Sequence, residues 1–298
     1  MDNLVLAIGN FDGVHYGHQK IIAEVKNLAE SINLKDSWGV MFFDPHPKTA
    51  LNGYKKFMLT TVSQRIDLLK DLNVPNVLVV PFVEVQNLTA EEFFKDILLE
   101  RYHVKGLVTG SNFNFGKEAK GDSNLMVKLS QDNGVKYICL EKQMYNKEMA
   151  YSSTNIRNFI NEGNIIEANK FLGHSFKVSA TVLHGNKIGR TIGFPTANLS
   201  IENYIAPKFG VYVVYAYVDG KKHQAIANFG LRPSVVVEKN ELLEVHLFNF
   251  NEDIYSKNIE VEFMDFIRAE TKFASIEELK AQIEKDKQFA VNYFNKIN

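Results

Sequence analysis

The sequence is nearly without cysteine: Cys139 is the one thiol among 298 residues. One thiol closes no intramolecular disulfide and builds no cysteine-based zinc site. Its setting, Val135-Lys136-Tyr137-Ile138-Cys139-Leu140, reads as a buried strand, so a small core residue is expected there rather than a nucleophile. Long apolar runs are missing too. No stretch of about 18 apolar residues occurs, so no membrane-spanning helix is expected. The N-terminus lacks a basic region followed by an apolar stretch, so no secretory signal is expected. A reducing, cytoplasmic compartment fits these absences. Net charge is also lacking, since 34 Lys plus Arg against 35 Asp plus Glu leaves −1. That argues against a protein held to DNA, RNA or an anionic membrane by bulk charge. It leaves room for a small anionic ligand held by a few local groups, and it leaves self-association open.

What is present is an ordinary globular composition, 45% hydrophobic and 23% charged. At about 150 residues per domain the length suggests two domains. The first half alternates short apolar runs with helical patterns. Residues 4–8, 39–43, 76–80, 106–109 and 136–140 read as strands, and 18–31, 62–72 and 90–102 as helices. Thr89 and Glu92 have capping-box spacing. This rhythm predicts parallel βαβ units of Rossmann-like type, with ligands at the carboxyl ends of the strands. From residue 176 the rhythm changes. Residues 176–183, 211–218, 223–227, 242–248 and 259–266 alternate in the β manner, separated by turn signals such as Asp219-Gly220 and Lys239-Asn240. They predict a small antiparallel β-barrel. A helix over 275–294 closes the chain, and one over 154–172, stopped by Gly173, bridges the halves. The expected division is 1–174 and 175–298.

The run Gly9-Asn10-Phe11-Asp12-Gly13-Val14-His15-Tyr16-Gly17-His18 follows the first strand and opens the first helix. Backbone N–H groups at such a helix start point toward an incoming anion. His15 and His18 can add N–H donors to phosphate oxygens, and Gly13 and Gly17 let a ligand approach the backbone. A metal fits less well, for no third ligand is evident. After the second strand comes the stiff loop Asp44-Pro45-His46-Pro47, a candidate ligand loop for which a plain rigid turn is the lesser reading. After the fourth comes Gly110-Ser111-Asn112-Phe113-Asn114-Phe115-Gly116, then Gly121-Asp122. Its glycine, amide and aromatic residues could bracket a flat heteroaromatic ring, since a plain surface loop rarely exposes two phenylalanines. Tyr151-Ser152-Ser153-Thr154-Asn155-Ile156-Arg157 stands at a further helix start, where hydroxyls and an arginine suit a polyphosphate tail. Taken alone, it is an N-cap followed by a solvated arginine.

The second half opens with Gly185-Asn186-Lys187-Ile188-Gly189-Arg190-Thr191-Ile192-Gly193-Phe194-Pro195-Thr196-Ala197-Asn198. This is not a Walker A loop, because three residues rather than four separate Gly185 from Gly189 and Arg-Thr follows. Thr196 and Asn198 alternate along an extended segment and so face one way. A hydroxyl and an amide carbonyl are oxygen ligands suited to Mg²⁺ with bound ATP. Glu244, read alone, is a surface strand residue with Val245 and Leu247 on the buried side.

Together these segments resemble a known family. The 9–18 run and Ser152-Ser153-Thr154-Asn155-Ile156-Arg157 are similar to the paired nucleotidyltransferase signatures of the FMN adenylyltransferase module in bacterial bifunctional riboflavin kinase/FAD synthetases. The Asp44-Pro45-His46-Pro47 loop, Gln64-Arg65 and the Asn112-to-Gly116 loop fall in the family's order. Asn112 departs from it, standing where many members carry aspartate. The Pro195-Thr196-Ala197-Asn198 segment resembles the riboflavin kinase signature. That match continues through Phe209-Gly210-Val211-Tyr212, Arg232-Pro233-Ser234, Glu244-Val245-His246-Leu247, Asp253-Ile254-Tyr255, Phe266-Ile267-Arg268 and Lys272-Phe273.

The resemblance implies two reactions on one flavin: riboflavin and ATP give FMN, then FMN and a second ATP give FAD and pyrophosphate. It implies Glu244 as the kinase's general base, with Thr196 and Asn198 holding Mg²⁺ and phosphates. It implies that His15 and His18 donate to the α-phosphate, while Ser153 and Arg157 hold the departing phosphates. Gly9, Phe11, Gly17, Ser152, Thr154, Gly185, Gly189, Arg190 and Gly193 are implied on the nucleotides. Asp44, His46, Asn112, Phe113, Phe115, Arg232 and Arg268 are implied on the flavins. Rival readings are a chain with one vestigial half, a non-catalytic flavin-binding regulator, and an adenylyltransferase for another phosphate. The last does not explain the second half.

Overall fold

The computed structural model describes residues 3–184, 189, 192–231 and 241–297. The chain forms two compact units, Met1–Tyr54 with Thr60–Ser153, and Lys55–Leu59 with Thr154–Asn298.

The first unit is built on five parallel strands: β1 (Leu4–Ile8), β2 (Trp38–Asp44), β3 (Asn76–Pro81), β4 (Val104–Gly110) and β5 (Lys136–Leu140). Their order is β3-β2-β1-β4-β5. Successive side chains point to opposite faces, so each strand feeds two cores. Leu4, Leu6, Ile8, Met41 and Phe43 enter one layer. Val5, Ala7, Val40 and Phe42 enter the other, against Ile22, Val25, Leu28 and Ala29 of helix α1 (Tyr16–Ser31). Each Val, Leu, Ile, Met or Phe among them contributes roughly 1.5–3 kcal/mol on burial. Exposed ion pairs such as Arg101–Glu84 contribute roughly 0–1 kcal/mol, so the two apolar layers hold this unit together.

Further helices fill the connections: α2 (Pro47–Asn52), α3 (Val62–Asp71), α4 (Phe82–Val85), α5 (Ala90–Glu92) and α6 (Ser123–Asp132). The expected capping box forms in full, Thr89 and Glu92 each accepting the other's backbone N–H. The helix it starts widens after one turn into a π-helix over Phe93–Arg101, which buries Phe93, Phe94, Ile97 and Leu98. One expectation is corrected. Cys139 is exposed, because β5 is the edge strand of the sheet and is covered only in part.

In the second unit, β6 (Lys177–Leu183), β7 (Ala197–Leu199), β8 (Gly210–Val218), β9 (Lys221–Leu231), β10 (Glu241–Leu247) and β11 (Asn258–Ala269) form a closed barrel. Its pairings are antiparallel. The turn signal at Asp219-Gly220 is realised, with φ of 48° and 76° joining β8 to β9. Two positive values suit a tight hairpin whose twist matches its strands. The Lys239-Asn240 signal lies outside the described residues. Register shifts at Phe263/Asp265 and Phe266/Arg268 bend β11, the curvature a small barrel needs.

The expected single helix over 154–172 is two helices, α7 (Ser153–Glu162) and α8 (Ile165–Leu172). Gly163 breaks it at φ 80°, and Asn164 caps the second piece. Gly173 ends α8 at φ 81°, as expected. Asn169 of α8 donates to Phe263 O of β11 (2.8 Å) and accepts from Phe176 N (2.7 Å), so these helices are built onto the barrel unit. The terminal helix α9 (Ile276–Ile297) buries Ala290 and Phe294 against Val211, Val213 and Tyr215.

Candidate active sites

In the first unit β1 lies between β2 and β4, so the chain reverses its direction of travel across the sheet there. Ligands of such sheets bind outside the carboxyl ends of the strands at this switch point. The loop that leaves β1 has an unusual backbone. Phe11, Gly13 and Val14 take φ of 49°, 83° and 41°. For Phe and Val such a conformation costs on the order of 1–3 kcal/mol each and persists only where the surroundings over-determine it. Burial of Phe11 and Val14, at 0% and 1% exposure, supplies part of that. A buried polar knot supplies more. Asp12 Oδ1 accepts from Thr60 N (3.0 Å), Thr60 Oγ1 (3.1 Å) and Arg65 Nη2 (3.5 Å). Sequence reasoning did not single out Thr60, which lies about fifty residues away and outside every motif; Arg65 was marked only by its place in the family's order.

The loop delivers His15 to the N-cap of α1, where its Nδ1 accepts the His18 backbone N–H (3.3 Å). The neutral ring therefore carries its proton on Nε2. The His15 and His18 rings stack with centroids 3.6 Å apart, and Phe11 lies 5.0 Å from His18. Gly17 is closely packed, for a Cβ there would come to 3.0 Å from the His15 ring and 3.2 Å from Tyr151 O. Gly9 lies under the Phe11 ring.

The other predicted residues of this unit fall as follows. Asp44 is exposed at the end of β2, followed by a cis peptide to Pro45. His46 is buried and caps α2, its Nδ1 accepting from Lys48 N (3.1 Å). Asn112 is exposed after β4. The loop phenylalanines do not stand free, which corrects the expectation of an exposed pair. Phe115 is a core residue against Phe93, and Phe113 stacks on it at 5.9 Å, half-buried. Ser152 is half-buried, and Ser153 donates its hydroxyl to Asp12 O (3.0 Å).

Thr154 and Arg157 belong to the second unit. Thr154 is exposed. Arg157 is not solvated, being 9% exposed. Its Nε donates to Phe57 O (2.8 Å), and its guanidinium lies 3.7 Å from the Phe57 ring centre. Such a contact contributes from about 0.5 to 2 kcal/mol as it is desolvated.

In the barrel, strand pairing brings the kinase candidates together. Glu244 of β10 stands directly opposite Asn198 of β7 and Asn228 of β9. Opposed residues share a face, with Cβ atoms about 4.5–5.5 Å apart. Leu243, Val245 and Leu247 are buried, while Glu244 is half-buried on the alternate face. Asn198 is 8% exposed. Thr196 precedes it in a tight loop, where Phe194 N donates to Gly189 O (2.8 Å) and Gly193 takes φ 92°. A Cβ on Gly189 would meet Phe194 O at 2.3 Å and Thr196 Oγ1 at 3.4 Å. His246 fastens this loop by donating its Nδ1–H to Pro195 O (2.8 Å), and burial pushes its pKa down. Arg268 grips Asp286 of α9 through Nε (3.0 Å) and Nη2 (2.7 Å). Gly185, Arg190 and Arg232 lie outside the described residues.

A doubly wound sheet with two histidines at a helix start, in one chain with a closed barrel that pairs a carboxylate with a buried amide, fits a two-part transferase of phosphoryl and nucleotidyl groups. The FAD synthetase family model matches residues 1–155, and the riboflavin kinase family model matches residues 172–294. The chain is 38% identical to the bifunctional riboflavin kinase/FMN adenylyltransferase of Buchnera aphidicola subsp. Schizaphis graminum, over 99% of this chain and 95% of that one. It is 38% identical to the bifunctional enzyme of Bacillus subtilis over 98% and 93% of the two chains, and 36% identical to that of Escherichia coli K12 over 98% and 93%. This chain belongs to the bifunctional riboflavin kinase/FMN adenylyltransferase family, and it is an enzyme of flavin cofactor biosynthesis carrying both transferase domains.

A crystal structure from Streptococcus pneumoniae described as a macrolide-efflux protein superposes with a TM-score of 0.86 at 32% identity, covering 98% of this chain and 94% of that one. That description is of the other protein. Among the described residues here, no helix is long and apolar enough to cross a membrane.

Proposed function

We propose that the two activities divide near residues 174/175, with FMN adenylylation on 1–174 and riboflavin phosphorylation on 175–298. In the first reaction the ribityl 5′-hydroxyl attacks the γ-phosphorus of ATP. The bond to the β-phosphate oxygen breaks, and FMN and ADP form. The hydroxyl proton passes to Glu244 as general base. The observation that carries this assignment is the pairing of Glu244 opposite Asn198 on adjacent strands, which sets a carboxylate beside a buried amide. The hydroxyl of Thr196 and the amide oxygen of Asn198 are hard oxygen donors that would fit Mg²⁺. When bound with ATP, Mg²⁺ offsets the charge of the triphosphate.

In the second reaction a phosphate oxygen of FMN attacks the α-phosphorus of another ATP, and pyrophosphate leaves. The nucleophile is already an anion, so the protein's task is to place it and to stabilise developing charge. His15 Nε2–H and His18 at the N-terminus of α1 donate to the α-phosphate oxygens. Ser152, Ser153, Thr154 and Arg157 hold the departing phosphates. The loops with Asp44, His46 and Asn112 receive the flavin, with Phe113 as the aromatic wall. Partners in this reading are flavins and ATP, without nucleic acid or membrane, and the compartment is the cytoplasm.

Two substitutions test it. Glu244→Ala stops FMN formation from riboflavin but leaves FMN-to-FAD conversion largely intact, and His18→Ala does the reverse, both read by chromatography of the flavins. If either substitution abolishes both steps in folded protein, the assignment of separate sites is wrong.

A further inference from the structure

Asp12 and Arg65 are each 1% exposed and Thr60 is 5% exposed, so three polar side chains are spent inside the first unit where no substrate reaches them. Arg65 bonds Thr60 itself, through Nε to Oγ1 (3.5 Å) and Nη2 to the carbonyl (3.4 Å), and together they reach the strained loop after β1. Arg65 Nη1 donates to Asn10 O (2.9 Å), and Thr60 Oγ1 accepts the Gly13 N–H (3.1 Å). Thr60 also donates twice to Asp12 Oδ1, through its backbone N (3.0 Å) and its hydroxyl (3.1 Å). Thus Asn10, Asp12 and Gly13 are all held, and the positive φ values fall at Phe11, Gly13 and Val14 among them. A buried arginine beside a phosphate loop invites reading as a phosphate ligand. Its burial, and the engagement of its guanidinium with Asn10 and Asp12, argue for a different job.

We propose that Thr60 and Arg65 are positioning residues for adenylyl transfer. They lock the 9–14 loop, with its positive φ at Phe11, Gly13 and Val14, in the conformation that sets His15 at the N-cap of α1. The inference rests on the reading of His15 and His18 as α-phosphate donors. A displacement of about 1 Å at a reacting group can cost about a hundredfold in rate.

The kinase activity of the same chain supplies the control for folding. Thr60→Val keeps the shape of the side chain and removes the hydroxyl that accepts the Gly13 N–H and donates to Asp12. Its kcat for FAD formation from FMN is expected to fall ten- to a hundredfold, with KM for ATP within threefold and riboflavin kinase kcat within twofold of wild type. Thr60→Ser restores the hydroxyl and is expected to recover FAD formation to within threefold. Should Thr60→Val not fold, Arg65→Lys is judged by the same criteria, since a single nitrogen does not reproduce the planar fork that reaches Asn10 O through Nη1 and Asp12 through Nη2. The proposal is overturned if FAD formation stays within threefold of wild type, if Thr60→Ser is as impaired as Thr60→Val, if the loss is in KM alone, or if both activities fall in parallel. His18→Ala separates the two levels of the claim. If it leaves FAD formation intact, the reading of the histidines fails. If it abolishes FAD formation while Thr60→Val is unaffected, only the positioning role fails.

Discussion

Replacing Glu244 by glutamine isolates the base from the scaffold that carries it. The strand around it is pinned on both sides, Glu244 pairing with Asn198 of β7 and Asn228 of β9, while Leu243 and Val245 at 0% exposure anchor the backbone from the barrel interior. Glutamine matches the size of glutamate and sits on the half-buried face, so the barrel should keep its register and its stability within about 0.5 kcal/mol. What disappears is an acceptor for the proton of the ribityl hydroxyl. A positioned general base contributes typically 10²–10⁴-fold, or about 2.7–5.4 kcal/mol at 1.36 kcal/mol per factor of ten. The expected kcat for FMN formation from riboflavin and ATP therefore falls between a hundredfold and ten-thousandfold, with KM for riboflavin within threefold. The assay is chromatographic quantification of FMN, with FAD formation from supplied FMN in the same preparation as the control. A kcat within tenfold of wild type, with the control intact, would refute the role given to Glu244.

Further outcomes follow from particular contacts. Gly17→Ala drives a methyl group against the His15 ring at 3.0 Å and Tyr151 O at 3.2 Å, so FAD formation should fall at least tenfold while FMN formation is unchanged. Asp286→Ala strands the Arg268 guanidinium beneath α9; losing one partner of a buried pair costs about 3–5 kcal/mol, and the partial exposure of Arg268 puts the expected loss at the lower end, read by urea titration. Native protein should take up one equivalent of a maleimide at Cys139 without denaturant, and a requirement for denaturant would contradict the exposed edge strand. His246 has its pKa pushed below the usual 6.5 by burial, so unfolded chain binds that proton at higher pH than folded chain does. Its contribution is present above about pH 6.5 and lost as pH falls through the folded value, and His246→Gln should flatten that part of the stability profile measured by thermal melting.

Much of the architecture was legible because it is written in local pattern. Alternation and short apolar runs marked the strands of both units except the short β7, Thr89 with Glu92 marked a helix start, and Asp219-Gly220 marked a hairpin. The misread positions depend on neighbours that local pattern does not carry. Cys139 has a core-like sequence but lies on the sheet's edge, and strand order decides that. Phe115 looked available to a ligand, yet Phe93 and the 115–121 bridge claim it for the core. Gly163 divides a stretch whose apolar spacing reads as one helix, because its left-handed φ ends α7 and frees Asn164 to cap α8. At the sites, the histidine run and the Thr-Ala-Asn segment were legible from residue type and spacing. The lock on the histidine loop was not, since Thr60 meets Asp12 and Gly13 across nearly fifty residues.

The central claim is that one chain performs two successive transfers at two separate sites. The most direct measurement is a time course of wild-type protein with riboflavin, ATP and Mg²⁺, following flavins and pyrophosphate by chromatography. The account predicts that FMN rises first, then declines as FAD accumulates with one pyrophosphate released per FAD. FMN that accumulates without FAD or pyrophosphate would contradict it and leave only the kinase.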